Sequence, residues 1–243
     1  VRWPSALGGG LAAILCTAAL AASPSAGDGE APARRLAERA FIGKRVESIR
    51  QLPGLPFYEM WIDHTLVYAD LEARVLIIGN LLDGKTLRNL REERLGELMS
   101  VPLDEMPLES AIKTVRGTGR NKLVVFADPN CGYCRNFEPE LKALRDVTLY
   151  TIVYPVLGPD SRAKARAILC APVPANAWHA WMDRGVVPPD PPAGCDPPLD
   201  RIVAFGKKHD IAITPTSFLS NGKRLVGKIP AATLKQEMIG ASR

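Results

Sequence analysis

Cys131-Gly132-Tyr133-Cys134 follows an apolar run, Lys122 to Ala127 (KLVVFA), and opens a segment of helical spacing, Cys134 to Arg145. A C-x-x-C motif set between a buried strand and a helix start constrains this chain more than any other feature. Unpaired backbone N–H groups and the positive end of the helix dipole both face a cysteine at that position. The placement predicts that Cys131 is a thiolate near neutral pH and therefore the nucleophile. Three residues on, the Cys134 sulfur lies within one helical turn. It can close a small disulfide or resolve a mixed disulfide formed on Cys131. Half of a zinc site is the rival reading. It lacks a second close pair, because Cys170 and Cys195 stand 25 positions apart and His179 and His209 are isolated. No metal and no cofactor are expected.

The remaining cysteines bear on compartment. Five is an odd number, which in an exported protein needs a reason. Cys16 lies in the apolar, small-residue stretch Leu7 to Ala22, which follows Arg2 and ends near Ala19-Leu20-Ala21. That pattern reads as a secretory signal peptide, residues 1–21, cleaved after Ala21. A lipidated Cys16 is the alternative, on a poor match to the lipidation pattern. With Cys16 removed, four cysteines remain in an oxidising compartment. Cys170 and Cys195 enclose a helix with Trp178 and Trp181 and a loop, Val187 to Pro198, that holds six prolines. A structural disulfide is the natural reading of that pair, and a second redox pair the other.

Two parts follow the signal segment. Gly27 to Arg34 reads as a frayed start and Leu36 to Ile42 as a helix. Val46 to Arg50, Phe57 to Ile62, Thr65 to Ala69 and Arg74 to Leu82 read as strands, with Asp63-His64 as a turn. This antiparallel unit, residues 27–86, is small enough to need oligomerisation for burial. A linker helix is expected within residues 87–103, where Leu87, Leu90, Leu95 and Leu98 form a thin stripe among mixed charges. The last part, residues 104–243, alternates strand and helix and predicts an α/β domain. Its elements are Lys122 to Ala127, Cys134 to Arg145, Val147 to Tyr154, Ser161 to Leu169, Asn176 to Asp183, Asp200 to His209, a hairpin around Asn221-Gly222, and Ala231 to Met238.

Charge excludes one class of function. The net charge of +5 is mild for 243 residues, and there is no concentrated basic stripe, so no nucleic acid is expected as partner. Residues 28–116 carry 13 basic and 15 acidic side chains, and residues 117–243 carry 17 and 11. A solvated surface accounts for this, and a basic face would at most bias encounter rates.

The segment Val125-Phe126-Ala127-Asp128-Pro129-Asn130-Cys131-Gly132-Tyr133-Cys134 resembles the active-site segment of the periplasmic DsbC/DsbG family of thiol:disulfide interchange proteins. Ile213-Thr214-Pro215-Thr216 before a hairpin, and Pro139 in the helix after Cys134, match the thioredoxin-like fold more broadly. The resemblance implies a thioredoxin-like fold with a helical insertion (α+β or α/β), preceded by a cystatin-like antiparallel dimerisation domain and a linker helix. It implies that Cys131 attacks and that Cys134 resolves. Pro215 would be cis, and Thr214 would offer backbone to an extended substrate. Gly132 and Tyr133 would tune redox poise, and Cys170 and Cys195 would form the structural disulfide. Asp128 is either an acid of the site or a capping residue. The implied protein is a periplasmic homodimer that rearranges misoxidised exported proteins and is reset by a DsbD-like membrane reductase. A DsbG-like reductase of sulfenylated cysteines, a DsbA-like oxidase and a holdase chaperone are the alternatives.

Overall fold

The computed structural model describes residues 30–70 and 74–241. The expected signal peptide and Cys16 lie outside the described residues. The chain separates into two compact units, one ending at Gly79 and the other beginning at Asn80.

In the first unit, α1 (Glu30–Ala40) precedes a four-stranded antiparallel meander: β1 (Val46–Gln51), β2 (Phe57–Ile62), β3 (Thr65–Asp70) and β4 (Val75–Ile77). Tyr58, Met60 and Ile62 recur every second residue. They build one core with Val67, Ala69 and the fully buried Ala33 and Ala37 of α1. Ala33 and Ala37 stand one turn apart, and their small side chains let the helix sit close to the sheet. For that reason Glu30 to Arg34, read from sequence as part of a frayed start, is helix. Asp63 and His64 both have positive φ, 47° and 62°, as a two-residue hairpin turn between β2 and β3 requires. Arg50 and Glu59 are cross-strand partners joined by two hydrogen bonds of 3.2 and 2.9 Å.

The single strand expected over Arg74 to Leu82 is shorter, because only Val75 to Ile77 pair with β3. Ile78 and Leu82 are exposed, and an apolar run alone cannot distinguish a strand from an exposed connection. Leu87 has φ 58° and lies outside the helix expected to start there. The helix α2 (Leu90–Leu98) begins after Asn89, whose side chain accepts from the Glu92 N–H at 3.2 Å.

The second unit holds a five-stranded sheet in the order β5-β7-β6-β8-β9. Its strands are β5 (Ile112–Arg116), β6 (Asn121–Ala127), β7 (Val147–Val153), β8 (Thr216–Leu219) and β9 (Arg224–Val226). β6 and β7 are parallel, and the other pairs are antiparallel. α3 (Gly132–Lys142) connects β6 to β7, and α7 (Ala231–Ala241) follows β9. Between β7 and β8 come α4 (Pro159–Leu169), α5 (Pro174–Arg184) and α6 (Leu199–Lys208). This is a thioredoxin-like fold with a helical insertion. β5, which the sequence reading does not name, is an edge strand with Lys113 and Val115 exposed.

β6 is central and buried from Leu123 to Ala127, as a strand covered on both faces must be. Phe126 meets the rings of Tyr154, Phe205 and Phe218 at 5.7–5.8 Å. α2 belongs to this unit, since a Cβ at Gly96 would lie 2.6 Å from the Arg224 carbonyl. Val101 N–H donates to the Gly222 carbonyl at 3.0 Å. Gly222 has φ 82°, and a side chain there would meet the Val101 carbonyl at 2.7 Å. A disulfide joins Cys170 to Cys195, with Cα atoms 6.1 Å apart. It encloses α5 and the proline-rich loop, a closure worth about 3–4 kcal/mol by chain entropy.

Candidate active site

β6 ends at Ala127, and four residues later the chain enters α3. Asp128 fixes that passage. It is fully buried, and its carboxylate accepts four hydrogen bonds. Asn130 N–H and Ser161 Oγ–H reach one oxygen at 2.7 Å each. Val156 and Leu157 N–H reach the other at 2.7 and 2.9 Å. The Asp128 carbonyl accepts from Cys131 N–H at 3.1 Å. Of the two sequence readings of Asp128, this geometry fits the turn and capping residue, because every donor is structural.

Cys131 is the N-cap of α3, and its Sγ accepts from the Cys134 N–H at 3.2 Å. The same sulfur donates to the Thr214 carbonyl at 3.2 Å, across 83 residues of sequence. The Thr214–Pro215 peptide bond is cis. Gly227 N–H donates to the Pro215 carbonyl at 2.8 Å, and Thr216 Oγ1 donates to the Ile213 carbonyl at 2.6 Å. β6, α3 and the start of β8 therefore bring Cys131, Cys134, Thr214 and Pro215 into one site.

Both cysteines of the motif are free thiols. Cys131 is 7% exposed and Cys134 is 2% exposed. Burial pushes the Cys134 thiol well above its ordinary value, and its contact with Cys131 pushes the same way. Cys134 is thus held protonated at neutral pH, and is the more deeply buried of the two. Tyr133 is 73% exposed, and a Cβ at Gly132 would meet nothing within 4 Å. The two intervening residues face outward. Leu157 and Ile213, each 57% exposed, lie in the loops that carry Asp128's donors and Thr214. Cys170 and Cys195 are not part of the site, being committed to each other.

Sequence reasoning did not find Glu138, Trp178 or Trp181 as site residues. Glu138 is buried on α3, one turn after Cys134, and its Oε1 accepts from Trp178 Nε1–H at 2.8 Å. Trp181 Nε1–H donates to the Pro129 carbonyl at 2.6 Å. These contacts cross 40 and 52 residues of sequence, and no local pattern signals them. Glu138, His179 and Asp183 bring ligand atoms within 4.8 Å of one another. Trp178 already binds that carboxylate, and Lys142 pairs with Asp183.

Three comparisons bear on this geometry. A thioredoxin-like domain model matches residues 108–240. A probable thiol:disulfide interchange protein DsbC of Bordetella pertussis is 40% identical over 210 residues, covering 86% of this chain and 74% of that protein. A thiol:disulfide interchange protein DsbG of Pseudomonas aeruginosa is 29% identical over 127 residues, about half of each chain (49% and 49%). Among solved structures, a disulfide interchange protein from Neisseria gonorrhoeae is similar at 35% identity and TM-score 0.50. It covers 57% of this chain and 99% of that one.

Proposed function

The chain belongs to the DsbC family of thiol:disulfide interchange enzymes, and on that premise we propose that it rearranges incorrect disulfides in exported proteins of the periplasm, with Cys131 as nucleophile. One observation carries this reading. Cys131 Sγ sits at a helix N-terminus with a backbone N–H and a backbone carbonyl both at 3.2 Å, in front of a buried second thiol.

The Cys131 thiolate attacks one sulfur of a substrate disulfide. The old S–S bond breaks, a mixed disulfide forms, and the other substrate sulfur leaves as a thiolate. The Cys134 N–H and the helix N-terminus supply donors to a charge on Cys131. Two exits follow. A substrate thiolate attacks the mixed disulfide, which gives a new pairing and returns Cys131 reduced. Otherwise Cys134 loses its proton and attacks Cys131 Sγ, which releases reduced substrate and leaves a Cys131–Cys134 disulfide. Two electrons from an outside dithiol, of the kind a DsbD-like membrane reductase carries, then reset the pair. Burial keeps Cys134 protonated and slows the second exit, which favours rearrangement over net reduction.

Thr214 lends backbone to an extended substrate segment beside Pro215, as in strand addition. The exposed Tyr133, Leu157 and Ile213 offer apolar contact to misfolded chains. The first unit, residues 30–79, serves as the homodimerisation domain in this reading. The test is refolding of a scrambled multi-disulfide substrate with wild type, Cys131→Ser and Cys134→Ser. Loss of isomerisation in Cys131→Ser and partial retention in Cys134→Ser supports the reading. Full activity in Cys131→Ser overturns it, and reduction of sulfenylated cysteines without isomerisation would favour the DsbG-like alternative.

A further inference from the structure

The residues just ahead of Cys131 are held by more than Asp128. Trp181, on the inserted helix α5, donates its indole N–H to the Pro129 carbonyl at 2.6 Å. Two cations lie over its ring, Lys164 Nζ at 4.8 Å and the Arg135 guanidinium at 5.2 Å from the ring centroid. Lys164 pairs with Asp160 one turn earlier on α4. Asp160 Oδ2 in turn accepts from Asn130 Nδ2 at 2.7 Å, and both partners hold the Asp160 carboxyl below its ordinary range. These contacts close a circuit from Pro129 through Trp181, Lys164 and Asp160 to Asn130. Two elements of the helical insertion thereby grip the two residues that precede the nucleophile. Arg135, one position past Cys134, ties the same ring to α3.

We propose that this circuit, centred on Trp181, is a positioning clamp that favours the dithiol form of the Cys131–Cys134 pair. It rests on the reading of these two cysteines as the exchanging pair. The clamp accompanies the geometry in which both sulfurs are free and the Cys134 N–H points at Cys131 Sγ. Oxidation forms the Cys131–Cys134 bond at the cost of two S–H bonds. A glutathione disulfide takes the two electrons and the two protons and becomes two glutathione thiols. Closing that bond turns Sγ of Cys131 off the Thr214 carbonyl and toward Cys134, and the clamp opposes whatever part of that movement reaches the loop at Pro129 and Asn130. A loop gripped from two sides resists the change, which leaves more of the enzyme reduced. The indole N–H is spent on the Pro129 carbonyl, so Trp181 acts through the loop.

The experiment equilibrates the full chain in glutathione buffers and reads the fraction oxidised by alkylation and mass. Trp181→Phe keeps an aromatic ring for the two cations and removes the N–H. The expected result is an equilibrium constant about two- to tenfold further toward the oxidised protein, the worth of one hydrogen bond. Asn130→Ala opens the other side of the circuit and should move the constant the same way, so it decides the matter if Trp181→Phe fails to fold. Arg162→Gln, which loses only a surface pair with Asp200, should leave the constant unchanged. A merely structural Trp181 would lower the thermal midpoint and leave the constant in place. Constants within twofold of wild type in both variants, or a shift toward the dithiol, overturn the clamp. A wild-type pair that forms no disulfide at any glutathione ratio overturns the clamp and the redox reading beneath it together.

Discussion

At the scale of single residues, Asp128 and Cys134 make opposite demands on their surroundings. Asp128 is buried with all its donors in place. Asp128→Asn turns one acceptor into a donor against backbone N–H groups that have no other partner there. We expect a loss of about 2–4 kcal/mol in denaturant unfolding, since each unsatisfied buried group costs about 1–3 kcal/mol. Cys134 is buried as a neutral thiol, with its folded-state pKa raised. A group raised on folding contributes stability that is fully present below the unfolded pKa and is lost as pH climbs toward the folded one. The reduced protein should therefore lose stability as pH rises above about 8.5, and Cys134→Ala should flatten that slope in urea titrations between pH 7 and pH 10. Both cysteines were legible in sequence because a strand, a motif and a helix start sit within about 25 consecutive residues. Trp181 was not, because its partner carbonyl is brought to it only by the tertiary fold.

Among the elements, the helical insertion contributes most beyond the bare thioredoxin-like sheet. α6 approaches the residue after β7 so closely that a Cβ at Gly206 would lie 2.3–2.5 Å from the Tyr154 phenol. The Tyr154 hydroxyl is itself fixed on the Ile211 carbonyl at 3.0 Å. Gly206→Ala should cost about 1–3 kcal/mol by overpacking, measured as a lower denaturation midpoint. Glycine's advantage at that position is steric and invisible in the helical pattern of residues 200–209. β6 and β7 were readable from dense β-branched and apolar runs. β5 was not, because an edge strand exposing Lys113 and Val115 has no apolar run to announce it. The opposite error fell at Arg74 to Leu82, where apolar composition continues past the last paired residue, Ile77. In both places, pairing partners rather than composition decide what becomes strand.

For the whole molecule, the two units divide the proposed work. The second unit carries the complete dithiol site, and the first offers a four-stranded sheet whose last strand exposes Val75 and Ile77. Light scattering of the full chain should give twice the monomer mass, and a chain lacking residues 27–79 should give the monomer mass. A monomeric full chain would contradict the dimerisation role. The central claim is that Cys131 attacks and Cys134 resolves, and trapping tests it most directly. Cys134→Ala and Cys131→Ala are each incubated with a scrambled disulfide substrate, quenched with acid and read by mass spectrometry. The account predicts a mixed disulfide that accumulates on Cys131 in Cys134→Ala and no adduct in Cys131→Ala. An adduct on Cys134 in Cys131→Ala, with none on Cys131 in the other variant, would contradict it.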